Sequence, residues 1–276
     1  MRPFKKVAIV GIGLIGGSLG LAIKQKRLAR QVVGVSRREK NLAFAKKIGA
    51  IDWGSQDISI IEGADAVLLA TPIRVILELA PLISKVIDRN CLVTDVGSTK
   101  SVIVKKLSSL FPNYVGSHPL AGSEKTSIIH AQADIFENTL CILTPTAGTR
   151  RLALAKIKAL WNELGAKIVN LSPALHDRIL AFVSHLPHAV AFSLIGAIPL
   201  KYLRFAAGGL KDTTRIAASD SELWADILLT NRKNIHNSIS LLERNLKRMR
   251  DAIREGNRKE LIRILEQARA KRNRLL

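Results

Sequence analysis

The stretch VAIVGIGLIGGSLGLAI at residues 7–23 determines the fold of the amino-terminal half. It joins an apolar run to an amphipathic segment, beginning near Leu14, through a GxGxxG pattern. Gly11 permits a tight turn, Gly13 lets the backbone approach a pyrophosphate, and Gly16 allows a helix to pack closely on a strand. The start of that helix offers free amides and a partial positive charge, which favour an anion. The predicted dinucleotide site comprises Gly11, Gly13, Leu14, Ile15 and Gly16. A glycine-rich turn without a ligand is the alternative.

The residues after the second predicted strand indicate which dinucleotide binds. Sites for NAD place an acidic residue there, about 20 residues beyond the glycines, to hold the ribose 2′-hydroxyl. This chain has Ser36, Arg37 and Arg38 instead. Guanidinium groups bind a phosphate in bidentate fashion, so we predict that NADP is preferred, with NAD possible. The alternative is that both arginines are exposed charges at the start of a helix.

Short apolar runs alternate with amphipathic segments as far as about residue 170. The runs lie at residues 7–10, 32–35, 66–70, 92–96, 140–143 and 168–170. They are nearly continuous, as in a parallel sheet covered by helices on both faces. After Ser172-Pro173, which has the pattern of a capped helix start, strand-like runs disappear and apolar residues recur three and four positions apart. We predict an α/β fold, a Rossmann-type doubly wound parallel sheet at 1–170 followed by an all-helical carboxy-terminal domain at 171–276.

The charge balance raises the possibility of nucleic-acid binding. The chain has 43 Lys and Arg against 22 Asp and Glu, a formal net charge of +21. The basic residues are spread along the chain with few aromatic residues among them to stack on bases, so we interpret them as solvated faces and predict no nucleic-acid partner. The same field would draw an anionic small molecule toward a cleft.

Other features of the sequence predict the compartment and exclude some kinds of site. The longest apolar stretch, at residues 180–200, is interrupted by polar residues, so we expect no membrane span. The amino terminus has no signal cleavage pattern, and two cysteines are too few for a disulfide framework, so we expect a cytoplasmic location. No cluster has metal-ligand spacing, and we predict no metal.

Two polar segments follow predicted strands and carry the chemistry. They are DVGSTK at residues 95–100 and GSHPLAGSEK at residues 116–125. Ligands bind outside the carboxyl ends of parallel strands, so Ser98 and His118 are expected to converge there. A histidine near neutral pKa can accept a proton from a substrate hydroxyl as hydride leaves the same carbon. The alternative for Ser98 is that it caps the following helix.

Several separated motifs resemble those of prephenate and arogenate dehydrogenases. They are DVGSTK with Ser98, SHPLAGSEK with His118, SHLPH with His185 and His188, and GGLKDTTRIAASD with Arg215. The resemblance spans nearly the whole chain. It implies oxidative decarboxylation of prephenate or arogenate on the pathway to tyrosine, with hydride transfer to NAD(P), and leaves the choice between the two substrates open.

The resemblance also implies roles for individual residues. His118 would bind the ring hydroxyl and act as base, Ser98 would orient both, and Arg215 would pair with a substrate carboxylate. Thr71 and Pro72 would lie beside the nicotinamide ribose. The remaining substrate-binding candidates are Asp212, which shares a helical face with Arg215, and His185, His188, Ser123, Glu124 and Trp224. One of the two histidines of SHLPH is alternatively a core residue, and Arg215 is alternatively an interdomain ion-pair partner.

The chain departs from the family pattern at two places and leaves rival functions open. GSEKSG appears here as GSEKTS, and the acid after the second strand is replaced by Ser36-Arg37. One rival is another hydroxyacid dehydrogenase with a Rossmann and a helical domain, which would need a catalytic lysine. A second is a dinucleotide-sensing regulator that binds nucleic acid. Apolar residues on more than one face of the last helices predict a homodimer through the helical domain.

Overall fold

The computed structural model describes residues 3–121 and 127–275. Within these residues the chain forms an eight-stranded sheet of order β3-β2-β1-β4-β5-β6-β7-β8. The strands are β1 (Phe4–Val10), β2 (Ala29–Val35), β3 (Trp53–Ser55), β4 (Ala66–Leu69), β5 (Leu92–Asp95), β6 (Tyr114–Pro119), β7 (Leu140–Thr144) and β8 (Lys167–Asn170). The order reverses between β1 and β4, which is where open α/β sheets bind ligands.

Helices connect the strands and cover both faces of the sheet. Those of the α/β part are α1 (Leu14–Gln25), α2 (Glu39–Lys47), α3 (Ile73–Val86), α4 (Ser101–Leu110) and α5 (Arg151–Glu163). Val7 and Ile9 of β1 enter one apolar cluster, whereas the intervening Ala8 and Val10 enter the other. Because both side-chain sets of a strand are buried, the strands had to be apolar throughout.

One strand pair differs from the all-parallel expectation. All neighbouring pairs are parallel except β6 and β7, which are antiparallel, with His118 opposite Ile142. Antiparallel neighbours need no crossover helix. The described part of the connection between β6 and β7 contains only a short 3-10 turn, Ile128–His130. The predicted α/β sheet is confirmed as mostly parallel.

Beyond β8 the described residues are helical. The helices are α6 (Pro173–Leu180), α7 (Leu186–Gly196), α8 (Gly208–Thr214), α9 (Ser221–Thr230), α10 (Arg232–Arg254) and α11 (Arg258–Arg272). The predicted helix start is confirmed, because the Ser172 hydroxyl accepts a hydrogen bond from the Leu175 amide and Pro173 is the first helical residue.

A π-helical segment, Ala181–His185, joins α6 to α7 into one continuous helix. Among the described residues, this helix, Pro173–Gly196, is the one that is long and apolar enough to cross a membrane. The mean hydropathy of its most apolar 18-residue window is 1.7. That is weak evidence for a span, since core helices of soluble proteins pass the same test. His176 and Asp177 on this helix are both buried in the protein and hydrogen-bonded to each other.

The chain divides into two compact units, Met1–Asn231 and Arg232–Leu276. The first contains the sheet and the helices α1 to α9. The second consists mainly of α10 and α11, where Asn257 caps α11 and Arg248 pairs with Glu260. The change from sheet to helix near residue 170 lies inside the first unit, and the domain division predicted there stays a prediction.

Candidate active site

The glycine loop between β1 and α1 has a backbone that only glycine fits. Gly11 has a φ of +102°, and a Cβ placed on it would lie 2.5 Å from the Ala70 carbonyl oxygen. A Cβ on Gly16 would lie 1.8 Å from the Gly11 carbonyl oxygen. Gly13 is the N-cap of α1, and the first turn, with Leu14 and Ile15, has neither an acidic residue nor a side-chain cap. The loop therefore presents a helix amino terminus suited to a phosphate.

Thr71 provides a second sign of a ligand at this edge. Its methyl group lies against the glycine loop, 2.6 Å from the position of a Cβ on Gly11. Among the described residues, its hydroxyl is the one buried side-chain polar atom that lacks a hydrogen-bond partner. Buried hydroxyls are almost always paired, so this oxygen indicates a polar group supplied from outside the chain. Together with the glycine loop, it makes the edge fit a dinucleotide.

The arginines that are predicted to select the dinucleotide follow β2. The Ser36 hydroxyl accepts a hydrogen bond of 3.2 Å from the Arg38 amide, and both arginine side chains are exposed. Asn41 on α2 donates to the Ile12 carbonyl of the glycine loop at 2.9 Å. This bond ties the start of α2 to the loop, and the Gly11 amide donates to the carbonyl of Val35 at the end of β2. The segment that contains Arg37 and Arg38 therefore begins and ends next to the glycine loop.

His118 lies near the carboxyl end of β6 and is 8% exposed. Its Nδ1 is 2.8 Å from Nε2 of His176, and Nδ1 of His176 is 2.9 Å from Oδ1 of Asp177. Burial lowers the pKa of His118 well below the usual histidine value, and the positive charge of Lys100 acts in the same direction. The ring is therefore neutral at physiological pH and able to accept a proton.

A buried polar network fixes the strand behind His118. Nζ of Lys100, a residue with 0% exposure, donates to the Ser117 carbonyl at 2.7 Å and pairs with Asp95. Asp95 also accepts a hydrogen bond from Tyr114, and Trp161 donates to the Ser117 hydroxyl. These bonds hold Ser117 at both its carbonyl and its hydroxyl, and they thereby fix the backbone of β6 next to His118.

Ser98 lies in the loop between β5 and α4 and is partly buried. Among the described residues it makes no hydrogen bond to His118, whose ring partner is His176. It does not cap α4 either, because the amides of Lys100, the N-cap, and of Ser101, the first residue of α4, donate to the Asp177 carboxylate. Its predicted action on the substrate hydroxyl stays a prediction.

The two histidines of SHLPH have different surroundings. His185 is buried and bonded to Asn231 at 3.1 Å, and burial is the main cause that lowers its pKa to about 4. His188 is half-buried, donates from Nδ1 to the Ser184 carbonyl, and stacks on Trp224 with ring centroids 3.5 Å apart. His185 is thus a core residue, whereas His188 keeps Nε2 available for a ligand.

Arg215 begins a 3-10 turn, Arg215–Ala218, directly after α8, which contains Asp212. Burial lowers the pKa of His188, and the charge of Arg215 contributes to that shift. The turn that Arg215 begins packs against α7, the helix that carries His188. The predicted contacts of Ser123 and Glu124 lie outside the described residues.

Sequence reasoning missed the residues that support His118. Lys100 stands inside the DVGSTK motif, where a lysine after a strand could have indicated a buried cation. His176 and Asp177 are adjacent in the first helix of the second half, but nothing local marks them as partners of a strand 58 residues away.

Known proteins are similar to this chain over most of its length. Residues 19–170 match the family described as "Prephenate dehydrogenase, nucleotide-binding domain", and residues 172–267 match "Prephenate dehydrogenase, dimerization domain". A prephenate dehydrogenase of Bacillus subtilis is 35% identical over 275 residues, covering 95% of this chain and 74% of that protein.

Two solved structures are similar over their full length. A prephenate dehydrogenase from A. aeolicus, in complex with hydroxyphenyl propionate and NAD+, superposes with a TM-score of 0.93 at 33% sequence identity. The match covers 99% of this chain and 98% of the A. aeolicus chain. An arogenate dehydrogenase of Synechocystis has a TM-score of 0.83 at 30% identity, with 98% and 100% covered.

Proposed function

Because the chain belongs to the prephenate dehydrogenase family, we propose that it oxidises and decarboxylates prephenate or arogenate in tyrosine biosynthesis, with a nicotinamide dinucleotide as hydride acceptor. The observation that carries this proposal is the neutral, buried imidazole of His118 at the carboxyl end of β6. The same edge of the sheet carries the glycine loop and the unpaired Thr71 hydroxyl.

The chemistry that the protein itself supplies is positioning and proton transfer. The bound nicotinamide accepts the hydride from C4 of the cyclohexadienol ring. His118 accepts the proton of the hydroxyl on the same carbon, and Arg215 pairs with a substrate carboxylate, so the ring faces the base. The ring carboxylate then leaves as carbon dioxide, because its departure makes the ring aromatic.

The proposed cofactor preference is for NADP, with NAD also used. Its support is the absence of a carboxylate directly after β2 and the presence there of Arg37 and Arg38, the first of which lies two residues beyond the Val35 carbonyl that accepts the Gly11 amide. A guanidinium gains a charge-assisted bond to a 2′-phosphate but not to a 2′-hydroxyl. Replacing both arginines with glutamine should raise KM for NADP and leave KM for NAD nearly unchanged. Equal effects on the two cofactors would contradict the assignment.

We also propose a homodimer formed through the helical residues from 171 onward. The matched family description for residues 172–267 is a dimerization domain. The continuous helix Pro173–Gly196 leaves Phe182, Val183 and Leu194 exposed. A second copy of this chain would cover that apolar face. We further propose that the domain division lies at residue 170, which limited proteolysis tests. The proposed location is the cytoplasm, which cell fractionation tests.

A four-way assay tests the proposed activity. Prephenate and arogenate are each offered with NAD and with NADP, and reduced nicotinamide is followed by absorbance. We expect turnover of at least one substrate, faster with NADP. No turnover in any combination would overturn the enzyme assignment, and binding to duplex DNA at moderate salt would then favour the regulator. Turnover of simple 3-hydroxy acids instead would favour the other dehydrogenase class.

A further inference from the structure

The chain of bonds behind His118 determines where its protons lie. Asp177 is the terminal acceptor of this chain: its Oδ1 accepts the Lys100 amide at 2.7 Å and its Oδ2 accepts the Ser101 amide at 2.8 Å. Burial acts to raise the pKa of Asp177, but hydrogen bonds from His176 and from the first two amides of α4 together hold it below the usual carboxyl value. Asp177 is therefore a carboxylate, which can only accept hydrogen bonds.

The direction of the remaining bonds follows from that carboxylate. Since Asp177 accepts, Nδ1 of His176 carries the hydrogen of the 2.9 Å bond. Burial keeps His176 neutral by lowering its pKa, more than the bond to Asp177 raises it. A neutral imidazole has one N–H, so Nε2 of His176 is an acceptor. Nδ1 of His118, 2.8 Å away, is then the donor, and its Nε2 carries the lone pair.

We propose that His176 and Asp177 are positioning residues that fix His118 as the Nδ1–H tautomer, so that Nε2 of His118 is the atom that takes the substrate proton. This inference rests on the proposed function. In the step, the substrate O–H bond breaks and an Nε2–H bond forms on His118. The imidazolium that results keeps its Nδ1–H bond to His176, which becomes charge-assisted.

Lys100 holds both ends of this arrangement. Its backbone amide binds Asp177, and its Nζ binds the carbonyl of Ser117, the residue before His118. A single buried residue thus sets the distance between the strand that carries the base and the helix that orients it. Within residues 3–121 and 127–275, the titratable groups around the histidine pair are Lys100 and Asp95 from the β5–α4 region, Asp177 from α6, and His185 from the π-helical segment.

The kinetic test uses Asp177→Asn and two variants of His176. An amide at position 177 can donate to Nδ1 of His176 and thereby reverse both tautomers, so we expect kcat to fall by about 100-fold or more with KM values nearly unchanged. The acid limb of the kcat–pH profile should move to lower pH, because the negative charge that favours the imidazolium is gone. His176→Gln, which keeps an acceptor near Nε2, should retain more activity than His176→Leu.

Asp52→Asn is the matched control for loss of a carboxylate. Asp52 also accepts a hydrogen bond from a backbone amide, that of Val32, and pairs with Lys24. It directly precedes β3, which is an outer strand of the sheet, five strands away from β6 in the sheet order. We expect it to lose thermal stability while keeping its kcat and its acid limb. The positioning role is wrong if Asp177→Asn keeps most of its kcat, if its acid limb stays in place, or if His176→Leu matches the Gln variant.

Nitrogen-15 NMR of histidine-labelled protein tests the tautomer without any substrate. Near pH 7 we expect His118 of the unmodified protein to show a protonated Nδ1 and an unprotonated Nε2, and Asp177→Asn to reverse the pattern. The opposite tautomer in the unmodified protein would overturn the inference. If the unmodified protein turned over no substrate, the proposed function would fail, while this measurement would still decide whether His176 and Asp177 fix the tautomer of His118.

Discussion

At the residue scale, His118 combines burial with a directed hydrogen bond. Burial lowers its pKa and keeps it neutral, and the bond to His176 holds the ring in one orientation. Neither effect suffices alone, since a buried ring without a partner could rotate and an exposed paired ring would be protonated more readily.

Replacing His118 by Asn tests the base directly. Because the amide cannot accept the hydroxyl proton, we expect kcat to fall by about 100-fold or more, which is the usual contribution of a general base. Cofactor affinity, measured by fluorescence titration, should remain nearly intact, since His118 is not part of the predicted dinucleotide loop. A variant that kept most of its turnover would mean that another residue is the base.

Thr71→Val tests the unpaired hydroxyl. Without ligand the exchange removes a buried polar atom that has no partner, so the melting temperature should stay the same or rise. The dissociation constant for the cofactor should increase by about 2- to 10-fold, the value of one hydrogen bond.

The control for Thr71 is Thr139→Val. Its hydroxyl donates to the Phe136 carbonyl at 2.8 Å, so this exchange should lower stability and leave cofactor affinity unchanged. If Thr71→Val bound the cofactor with unchanged affinity, the Thr71 hydroxyl would not be part of the cofactor site.

At the element scale, four strand ends and one helix start form the site. Gly11, Thr71 and Ser98 follow β1, β4 and β5, which pair in parallel register, and β6 brings His118 to the same edge. The β1–α1 connection is a tight turn, because the carbonyl of Gly11 lies where a Cβ on Gly16 would be.

Gly16→Ala tests that turn. Its Cβ would meet a backbone oxygen that cannot move without disturbing the loop, so we expect a loss of about 1–3 kcal/mol in the free energy of unfolding. Cofactor binding should weaken as well. Urea denaturation and a binding titration measure the two effects.

Gly196→Ala provides the comparison for this exchange. Gly196 ends α7 with nothing within 4 Å of its would-be Cβ. Alanine there should be neutral or stabilise by up to about 1 kcal/mol. If both exchanges behaved alike, close packing at Gly16 would not be the reason for the glycine.

At the scale of the whole molecule, exposed apolar surface and net charge determine association. The charge of +21 disfavours random self-association by repulsion, so a stable dimer needs a specific apolar surface. The helix Pro173–Gly196 offers one, with Val183 66% exposed.

Val183→Asp tests the proposed dimer surface. Sedimentation of the unmodified protein should give twice the chain mass. The variant should sediment as a monomer, because a carboxylate would be buried without a partner. Leu152→Asp on α5 introduces the same charge at a residue that is 69% exposed, and it should remain a dimer. A dimeric Val183→Asp protein would place the interface on another face.

The sequence by itself determined the features that depend on neighbours along the chain. The alternation of apolar runs and amphipathic segments predicted the layers of the sheet and the helical second half. The glycines predicted the tight β1–α1 turn, because Gly11 needs a positive φ. His118 and Ser98 could be placed near strand ends for the same reason, since each motif stands beside its own strand.

Only the tertiary structure decided how groups distant in sequence pair with one another. The bonds between His118 and His176, and between Lys100 and Asp177, join a strand or its end to a helix many residues away. The antiparallel β6–β7 pair and the unpaired Thr71 hydroxyl likewise depend on packing. Periodicity and composition report which face of an element is buried, but not which polar atom of another element lies against it. Those contacts set the direction of the hydrogen bonds behind His118.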